Sequence, residues 1–366
     1  MTEITTILQN AIKPTGFISF ARFMELSLYC PKIGYYERTG EMIGRAGDFF
    51  TSVSIGPLFG QLLAFQFAEW LASSSAHPVQ IVEAGAHDGR LAGDILGWLR
   101  ENRPGLLKGL EYWIIEPSTA RRDWQRQRLE EFSGRVTWFA DLAQLPPGGV
   151  NGVVFANELL DAFPVRRFGW EAAGRRWFEW GVAVKGEHFI WQKMPEAPES
   201  IMADLAQAGL VPPPELLAVL PDGCIWELCP AAGSWWQQAA HSLRHGKLLT
   251  LDYGLTAEQF LAPEHSQGTL RAYRQHRASA EVLAHPGEQD LTAHVNFTRL
   301  QRAGEAAGLH TETLSSQAQF LTTVARRAWD NLSSFGEWTP NRSRQFQTLT
   351  HPEHLGRPFR VLVQSR

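Results

Sequence analysis

Residues 81–91 read Ile-Val-Glu-Ala-Gly-Ala-His-Asp-Gly-Arg-Leu, and this stretch decides the fold. An apolar run enters a glycine turn that opens a second apolar segment, which is typical of a β-strand, a tight loop and a helix. Gly85 allows the backbone to approach a ligand closely, and Gly89 frees the start of the helix. An ordinary strand-to-helix turn has the same pattern, so the surrounding sequence has to decide. The turn lacks both the GxGxxG spacing of dinucleotide sites and the GK[ST] of a phosphate-binding loop, which disfavours a pyrophosphate or triphosphate ligand.

Strands and helices alternate around this turn. The sequence predicts strands at 79–84, 110–115, 135–140, 150–156, 247–251, 311–314 and 359–364, with helices at 91–100, 121–132, 231–243, 297–307 and 319–332. Such alternation predicts right-handed crossovers and a parallel sheet. The carboxyl ends of its first four strands, at Gly85, Glu116, Asp141 and Asn157, are therefore expected along one edge.

The pattern also predicts the organisation of the chain. Residues 1–75 form an N-terminal helical segment with a lid loop, and residues 76–164 form the first part of the α/β domain. Residues 165–224 are an insertion of antiparallel strands followed by a Pro-rich stretch, which we interpret as a substrate subdomain. Residues 225–366 complete the α/β domain, with an irregular substrate-side loop at 255–295.

Composition excludes several classes of function. The chain has 366 residues and a formal net charge of -4, which gives no general electrostatic reason to bind nucleic acid or anionic membrane. No apolar run of 18 or more residues and no secretory signal is present, so we expect a bacterial, cytoplasmic protein. The three cysteines have no CxxC spacing, which argues against a disulfide framework and a zinc site. We therefore expect no metal.

Two carboxylates at strand ends favour a nucleoside ligand. Glu116 follows the second strand, where a carboxylate can accept both ribose hydroxyl protons. Asp141 follows the third strand and could accept from an adenine amino group. Such carboxylates are often only solvated, but two of them in register with a glycine turn favour S-adenosylmethionine (SAM), since no phosphate cradle is present. A parallel sheet of this kind that ends in an antiparallel pair is the seven-stranded Rossmann-like sheet of many SAM enzymes.

The segment after the fourth strand carries the predicted catalytic groups. Glu158 and Asp161 could grip a guanidinium through paired charge-assisted hydrogen bonds and orient one nitrogen toward a sulfonium methyl group. The alternative is that these residues, with Asn157, only cap the next helix. Methyl transfer needs alignment more than acid–base chemistry, so the absence of a His-Asp-Ser set is no objection.

Two irregular stretches could close the site. Residues 47–52 combine a flexible turn with a carboxylate and hydroxyls, and residues 290–296 concentrate polar groups before a helix. Plain turn chemistry explains either stretch equally well. His294 has no His or Cys neighbour at a zinc-type spacing.

An ordered set of motifs resembles the MidA family of SAM-dependent methyltransferases. The matching motifs lie at 28–31, 34–36, 47–51, 59–60, 83–91, 157–164, 252–254, 268–272 and 290–295, and they cover nearly the whole chain. Mitochondrial members of that family are complex I assembly factors that act as protein arginine methyltransferases. The glycine turn departs from the family pattern, because Ala86 and His87 stand where a proline and a second glycine are usual. Asn296 stands where the family commonly has an aspartate.

The resemblance implies a class I SAM-dependent methyltransferase sheet of seven strands, the last one antiparallel, with a lid and a protein-substrate groove. The residues that it assigns to the cofactor, together with those inferred above, are Asp48, Thr51, Glu83, Gly85, Gly89, Glu116, Asp141 and Asn157. The residues that it assigns to the substrate are Asp252, Tyr253, Arg271, Thr292 and His294.

The predicted function is methyl transfer from SAM to a protein side chain, most simply an arginine guanidinium. By the resemblance, the partner could be a subunit of a respiratory complex. Two alternatives stay open: an assembly or scaffolding factor that keeps the SAM fold without turnover, and a small-molecule methyltransferase. The altered Ala86-His87 turn motivates the first alternative, and the aromatic insertion permits the second.

Overall fold

The computed structural model describes residues 2–38, 51–72, 78–195, 200–275 and 277–366. The chain divides into two compact units. The first unit comprises Met1–Phe49, Leu160–Ser234 and Gly254–Arg302, and the second comprises Phe50–Leu159, Trp235–Tyr253 and Ala303–Arg366.

The helices are assigned as follows. They are α1 (Glu3–Ile12), α2 (Phe20–Tyr29), α3 (Ser52–Ile55), α4 (Leu58–Ala72), α5 (Arg90–Asn102), α6 (Pro104–Lys108), α7 (Thr119–Arg128), α8 (Ser200–Ala208), α9 (Pro214–Val219), α10 (Pro230–Ser242), α11 (Ala257–Phe260), α12 (Phe297–Ala306), α13 (Gln317–Asp330), α14 (Leu332–Phe335) and α15 (Pro340–Thr350).

The strands are assigned in the same way. They are β1 (Phe17–Ser19), β2 (Val79–Ala84), β3 (Leu110–Ile115), β4 (Val136–Phe139), β5 (Val150–Asn157), β6 (Arg166–Glu171), β7 (Arg176–Lys185), β8 (His188–Lys193), β9 (Ile225–Leu228), β10 (Leu243–Leu255), β11 (Arg271–Arg274), β12 (Arg277–Ser279), β13 (Asp290–Thr292), β14 (Val295–Asn296), β15 (His310–Ser316) and β16 (Phe359–Ser365).

The second unit is built on a sheet whose strand order is β15, β16, β10, β5, β2, β3, β4. The contacts from β10 through β4 are parallel. The last strand of the chain, β16, lies between β10 and β15 and is antiparallel to both. This order and direction confirm the predicted seven-stranded sheet with an antiparallel last strand.

The inner strands form because most of their residues are apolar and can be buried on both faces. All six residues of β2 are buried, as expected for a parallel strand covered on both sides. The core beside them includes Phe65, Leu96 and Phe155. Helix α4, which the sequence analysis placed in the N-terminal segment, packs in this core of the second unit because its apolar residues cover nearly its whole surface.

The first unit contains two antiparallel sheets. In one, β1, β7, β6 and β9 follow one another and β8 pairs with β7. The antiparallel strands predicted at 165–193 are therefore present as β6, β7 and β8. The other sheet has the order β12, β11, β13 and lies in the stretch predicted as irregular, 255–295. Short strands with polar residues give little periodicity, which explains why the sequence pattern missed them.

Local signals and composition agree with the structure where they can be compared. Ser19, a residue type that favours helix N-caps, accepts the backbone N–H of Arg22 at the start of α2. The three cysteines are free. Within the part of the chain that the structure describes, no helix is long and apolar enough to cross a lipid bilayer.

The pairing of β5 with β10 depends on two glycines, which yields a first prediction. Gly246 pairs with Gly152, has φ +127°, and a Cβ placed on it would lie 1.8 Å from the Gly152 carbonyl oxygen. We expect Gly246→Ala to lower the free energy of unfolding by about 3 kcal/mol, because the clash is with backbone that cannot move aside. Denaturant unfolding monitored by circular dichroism measures this change.

The matched control is Gly97→Ala in α5, where a Cβ would meet nothing within 4 Å. A helix-interior glycine-to-alanine change should raise stability by roughly 0.5–1 kcal/mol. Equal stability of the two variants would contradict this account of the β5–β10 contact.

Candidate functional site

The parallel strands bring the predicted strand-end residues side by side at one edge of the second unit's sheet. Ala84 of β2 pairs with Ile115 of β3 and with Ala156 of β5, so these three strands end side by side. The next residues along these strands are Gly85, Glu116 and Asn157. On the other side of β5, β10 adds Asp252 and Tyr253, since Leu251 pairs with Asn157. This edge is where open α/β sheets bind their ligands.

The glycine turn has a left-handed backbone at every second position. Gly85, His87 and Gly89 have φ values of +73°, +45° and +82°. A Cβ at Gly85 would lie 2.8 Å from Cδ1 of Leu159, so a side chain there is disfavoured by space as well as by conformation. His87 takes the same left-handed conformation as the glycines on either side, so the turn forms despite this departure from the family pattern. The strain of a non-glycine residue in this region is of the order of 1 kcal/mol.

Glu83 is a buried member of the sheet. It is 2% exposed, and its Oε2 accepts the hydroxyl proton of Tyr112 at 2.6 Å. Burial raises the pKa of Glu83 to about 8, although the Tyr112 hydrogen bond works in the opposite direction. Glu83 is therefore mostly protonated at neutral pH, and a direct contact with a cofactor stays a prediction.

Glu116 is held by the start of α7. Its carboxylate accepts the Ser118 N–H at 3.0 Å and the Gln125 side-chain amide at 3.2 Å, and it lies 3.2 Å from Nε of Arg121. A buried carboxylate satisfied in this way is fixed in position. Asp141 lies at the end of β4, where its Oδ1 accepts the Gln144 N–H at 3.1 Å and caps a short 3₁₀ turn.

Asn157 and Glu158 end β5 in an unusual conformation. Glu158 has φ +51°, and its N–H donates to the Leu251 carbonyl at 2.9 Å. Its Oε1 accepts the Ser52 N–H at 3.0 Å and the Asn157 amide at 3.2 Å. Oδ1 of Asn157 is buried and has no hydrogen-bond partner among the described residues. A buried acceptor without a partner marks a place where a donor is missing.

Asp252 braces this turn. It is fully buried, its Oδ2 accepts the Leu159 N–H at 3.2 Å, and its Oδ1 accepts the Tyr253 N–H at 2.8 Å. Tyr253 packs on Phe359, with ring centroids 3.9 Å apart. Both residues were predicted to bind substrate, which stays a prediction; the contacts described here hold them in place within the second unit.

The remaining predicted residues belong to the first unit. Asp161 is 7% exposed, and its carbonyl accepts the Ala293 N–H at 2.9 Å. The next carbonyl, that of Ala162, accepts the Tyr29 hydroxyl at 2.9 Å. These two bonds fix the backbone that follows the Asp161 side chain.

Thr292, His294 and Arg271 lie close to one another in this unit. Arg271 pairs with Thr292 across β11 and β13. The His294 N–H donates to the Thr269 hydroxyl at 3.1 Å, and Nδ1 of His294 is buried with no partner in the described chain. Burial, His265 and Arg271 together lower the pKa of His294 to about 4, so the imidazole is neutral at physiological pH.

The two predicted lid residues differ in what can be said of them. Asp48 lies outside the described residues. Thr51 caps α3: its hydroxyl accepts the Ser54 N–H, and the Ser54 hydroxyl accepts the Thr51 N–H, each at 3.0 Å. This capping box begins α3 beside Ser52, whose N–H binds Glu158.

Sequence reasoning missed the residues that hold the predicted ones in place. Gln125 is fully buried, and its amide donates to the His87 carbonyl at 2.9 Å and to Glu116. Its Oε1 accepts the Trp138 indole N–H at 2.9 Å. In the first unit, the Tyr36 hydroxyl donates to Asp290 at 2.8 Å. A glutamine on a polar helix gives no sequence signal of this kind, whereas Tyr36 and Asp290 both lie within the family-like motifs.

The strand-end residues fit a nucleoside cofactor with a sulfonium methyl group. The left-handed turn at Gly85 permits close backbone approach, and the partnerless acceptor of Asn157 lies on the neighbouring strand. A strand order of this kind, an antiparallel last strand and a glycine turn after β2 together define a class I SAM-dependent methyltransferase.

A protein-family model with the description "Putative S-adenosyl-L-methionine-dependent methyltransferase" matches residues 62–315, and the chain belongs to this family. SAM is the cofactor of the family. A crystal structure of a Burkholderia thailandensis protein bound to S-adenosylhomocysteine is 30% identical, with a TM-score of 0.84, and covers 99% of this chain and 92% of that chain. A second, native structure from the same organism has a TM-score of 0.82 and 31% identity, over 99% of this chain and 91% of that chain.

Curated relatives carry a more specific name. The mouse mitochondrial protein arginine methyltransferase NDUFAF7 is 30% identical over 332 residues, which cover 83% of this chain and 70% of the relative. The human protein of the same name is 28% identical over 330 residues, covering 83% and 69%.

The raised pKa of Glu83 yields a prediction about stability and pH. The ordinary pKa is 4.5 and the folded value is about 8, so between these pH values the folded state binds more protons than the unfolded state. The free energy of unfolding should therefore fall as pH rises from 5 to 8. In Glu83→Gln this contribution is absent, and the fall should be smaller by roughly 3 to 4 kcal/mol.

Urea unfolding at a series of pH values measures this effect. The slope with pH is the readout, because the glutamine amide also changes the absolute stability. The exposed residue Glu130 provides the control, since Glu130→Gln should leave the slope unchanged. A Glu83→Gln slope equal to that of the wild type would refute the assigned protonation.

Proposed function

We propose that this chain transfers the methyl group of SAM to an arginine side chain of a protein. The family supplies the reaction type, and the names of the NDUFAF7 relatives supply the acceptor class. The proposed cofactor residues are Asp48, Thr51, Glu83, Gly85, Gly89, Glu116, Asp141 and Asn157, and the proposed catalytic residues are Glu158 and Asp161.

When bound, SAM supplies an electrophilic methyl group on a sulfonium. The chain would position it through the backbone at Gly85, the Glu116 carboxylate and the Asn157 amide oxygen. Glu116 would exchange part of its present hydrogen bonding for ribose hydroxyls, as strand-end carboxylates of nucleoside-binding sheets do. The partnerless acceptor of Asn157 would gain a donor.

The observation that carries the proposal is the conformation of Glu158. A glutamate with a left-handed backbone is strained, and strain of this kind concentrates at functional sites. Three hydrogen bonds fix it: one from its own N–H and two into Oε1. A carboxylate held this rigidly can bind a guanidinium with little further loss of entropy, through charge-assisted hydrogen bonds.

Asp161 and His294 of the first unit stay proposed as contacts for the acceptor. Asp161 carries a carboxylate, and the backbone that follows it is held by two hydrogen bonds. The neutral His294 offers a buried nitrogen that can accept an N–H of the substrate. A protein partner, such as a respiratory-complex subunit, stays part of the proposal because the MidA resemblance suggests it.

Cofactor binding is tested at the glycine turn. We expect Gly85→Val to abolish SAM binding measured by isothermal titration, because the new side chain would strain the left-handed backbone and displace Leu159. Gly105→Val is the matched control, since a Cβ there meets nothing within 4 Å. Loss of binding in both variants, or in neither, would argue against this placement of the cofactor.

The role of Glu158 is tested by transfer of a radiolabelled methyl group into lysate protein, with the labelled amino acid identified after hydrolysis. We expect label in methylarginine, and a loss of about 100-fold in Glu158→Gln with SAM affinity retained. Glutamine can still accept the Ser52 N–H but has no charge to pair with a guanidinium. Glu130→Gln should transfer at the wild-type rate.

The other outcomes separate the alternatives. Undiminished transfer in Glu158→Gln would remove this residue from the mechanism. Label in a different amino acid would overturn the arginine assignment, and label only in metabolites would favour the small-molecule alternative. SAM binding without any transfer would favour the scaffolding alternative.

A further inference from the structure

A groove in the first unit is lined by described residues that include none of the predicted site residues. Its volume is about 720 Å³, which lies in the range of ligand-binding cavities. Three segments line it: the start of α1, the strand β8 with the turn before it, and residues 280–288. We call it the β8 groove.

The charged side chains that line the β8 groove are acidic. Glu187, Glu281 and Glu288 lie along it, and none of its described lining residues is a lysine or an arginine. Glu288 is 3.1 Å from Arg274 and is therefore partly neutralised. Glu187 and Glu281 are exposed and form no ion pair within the described residues. Among the described residues, two of the three groove carboxylates therefore have no ion-pair partner, and a cation would neutralise them.

The partial positive charge of the helix dipole at the N-terminus of α1 is already balanced. Thr2 caps the helix by accepting the Thr5 N–H, and Glu3 lies in the first turn. The helix dipole is therefore offset locally and does not cancel the three carboxylates.

One wall of the β8 groove is aromatic. Phe189 and Trp191 are two residues apart on β8 and so share a face. Both are half-buried. The Trp191 ring already contacts one cation, since the guanidinium of Arg167, which does not line the groove, lies 4.4 Å from its centroid. Aromatic rings next to carboxylates suit a side chain with an apolar stem and a cationic end.

The strand itself favours an extended occupant. Among the described strands, β8 pairs only with β7, so it is an outer strand of its sheet. An outer strand offers backbone N–H and C=O groups to an added segment, and residues on alternate positions then contact side chains of that segment. A peptide uses such groups, whereas a small cation does not.

We propose that the β8 groove binds an extended, arginine- or lysine-rich segment of the protein substrate, distinct from the arginine that receives the methyl group. This inference rests on the proposed function, since it supplies a docking contact for the same protein substrate. The cationic side chains pair with Glu187 and Glu281, and their stems pack on Phe189 and Trp191.

Fluorescence anisotropy tests the proposal with a labelled peptide of alternating arginine and glycine, in the absence of SAM. The groove variant is Glu187→Gln with Glu281→Gln, two exposed changes that leave the fold intact by circular dichroism. The control variant is Glu130→Gln with Glu215→Gln, which removes the same charge elsewhere. We expect binding to weaken about tenfold in the groove variant only, and to be absent for a peptide with glutamine in place of arginine.

Equal weakening in both double variants would overturn the proposal, because it would mean attraction to net charge alone. Unchanged binding in the groove variant, or no binding to the wild type, would also overturn it. With a methyl-accepting protein, the groove variant should raise KM and leave kcat unchanged.

The two hypotheses fail differently. Groove-dependent peptide binding without any arginine methylation would remove the proposed function and leave a cationic-peptide site. Arginine methylation with the same KM in the groove variant and in the wild type would remove the docking proposal and leave the proposed function in place.

Discussion

The carboxyl end of β5 is the constraint on which the rest of the site depends. Glu158 turns left-handed there, its N–H is held by Leu251 of the next strand, and the following N–H is held by the buried Asp252 carboxylate. Leu159 then fills the space that a side chain at residue 85 would need, which leaves glycine as the residue that fits. The glycine turn and the Glu158 carboxylate thus meet at one packed junction, with Leu159 between them.

Buried carboxylates make this edge of the sheet rigid. Glu116 and Asp252 are each satisfied by hydrogen bonds from backbone and side-chain donors nearby, so their burial does not leave a polar group unpaired. Glu83 accepts one hydrogen bond from a hydroxyl group. Burial disfavours the charged form of its carboxyl group, which raises the pKa of Glu83 to about 8. Rigidity at a strand edge suits methyl transfer, because alignment of donor and acceptor dominates that reaction.

Much of the α/β sheet could be predicted, because strands that are buried on both faces have mostly apolar sequences. Strands β2 and β3 begin and end at the predicted residues, since each is a short, mostly apolar segment that follows a proline or glycine and precedes a glycine or a charged residue. Helix α15 and the sheet of β11, β12 and β13 were not predicted, because their residues are mixed in polarity and depend on tertiary partners. The site shows the same division. The positions of Glu116 and Asn157 could be predicted because each directly follows or ends a predicted strand. The sequence could not show that Gln125 donates a hydrogen bond to Glu116, or that Oδ1 of Asn157 has no hydrogen-bond partner among the described residues.

Net charge alone could not have identified a binder of cationic protein segments. A formal charge of -4 on 366 residues is too small to steer a partner over a distance, and the same acids could have been spread evenly. What matters is their placement relative to apolar surface. Glu187 and Glu281 are exposed yet lie beside Phe189 and Trp191, so a cation that pairs with them also buries its stem. Exposed ion pairs contribute little by themselves, and it is this added burial that can make the contact selective for long cationic side chains.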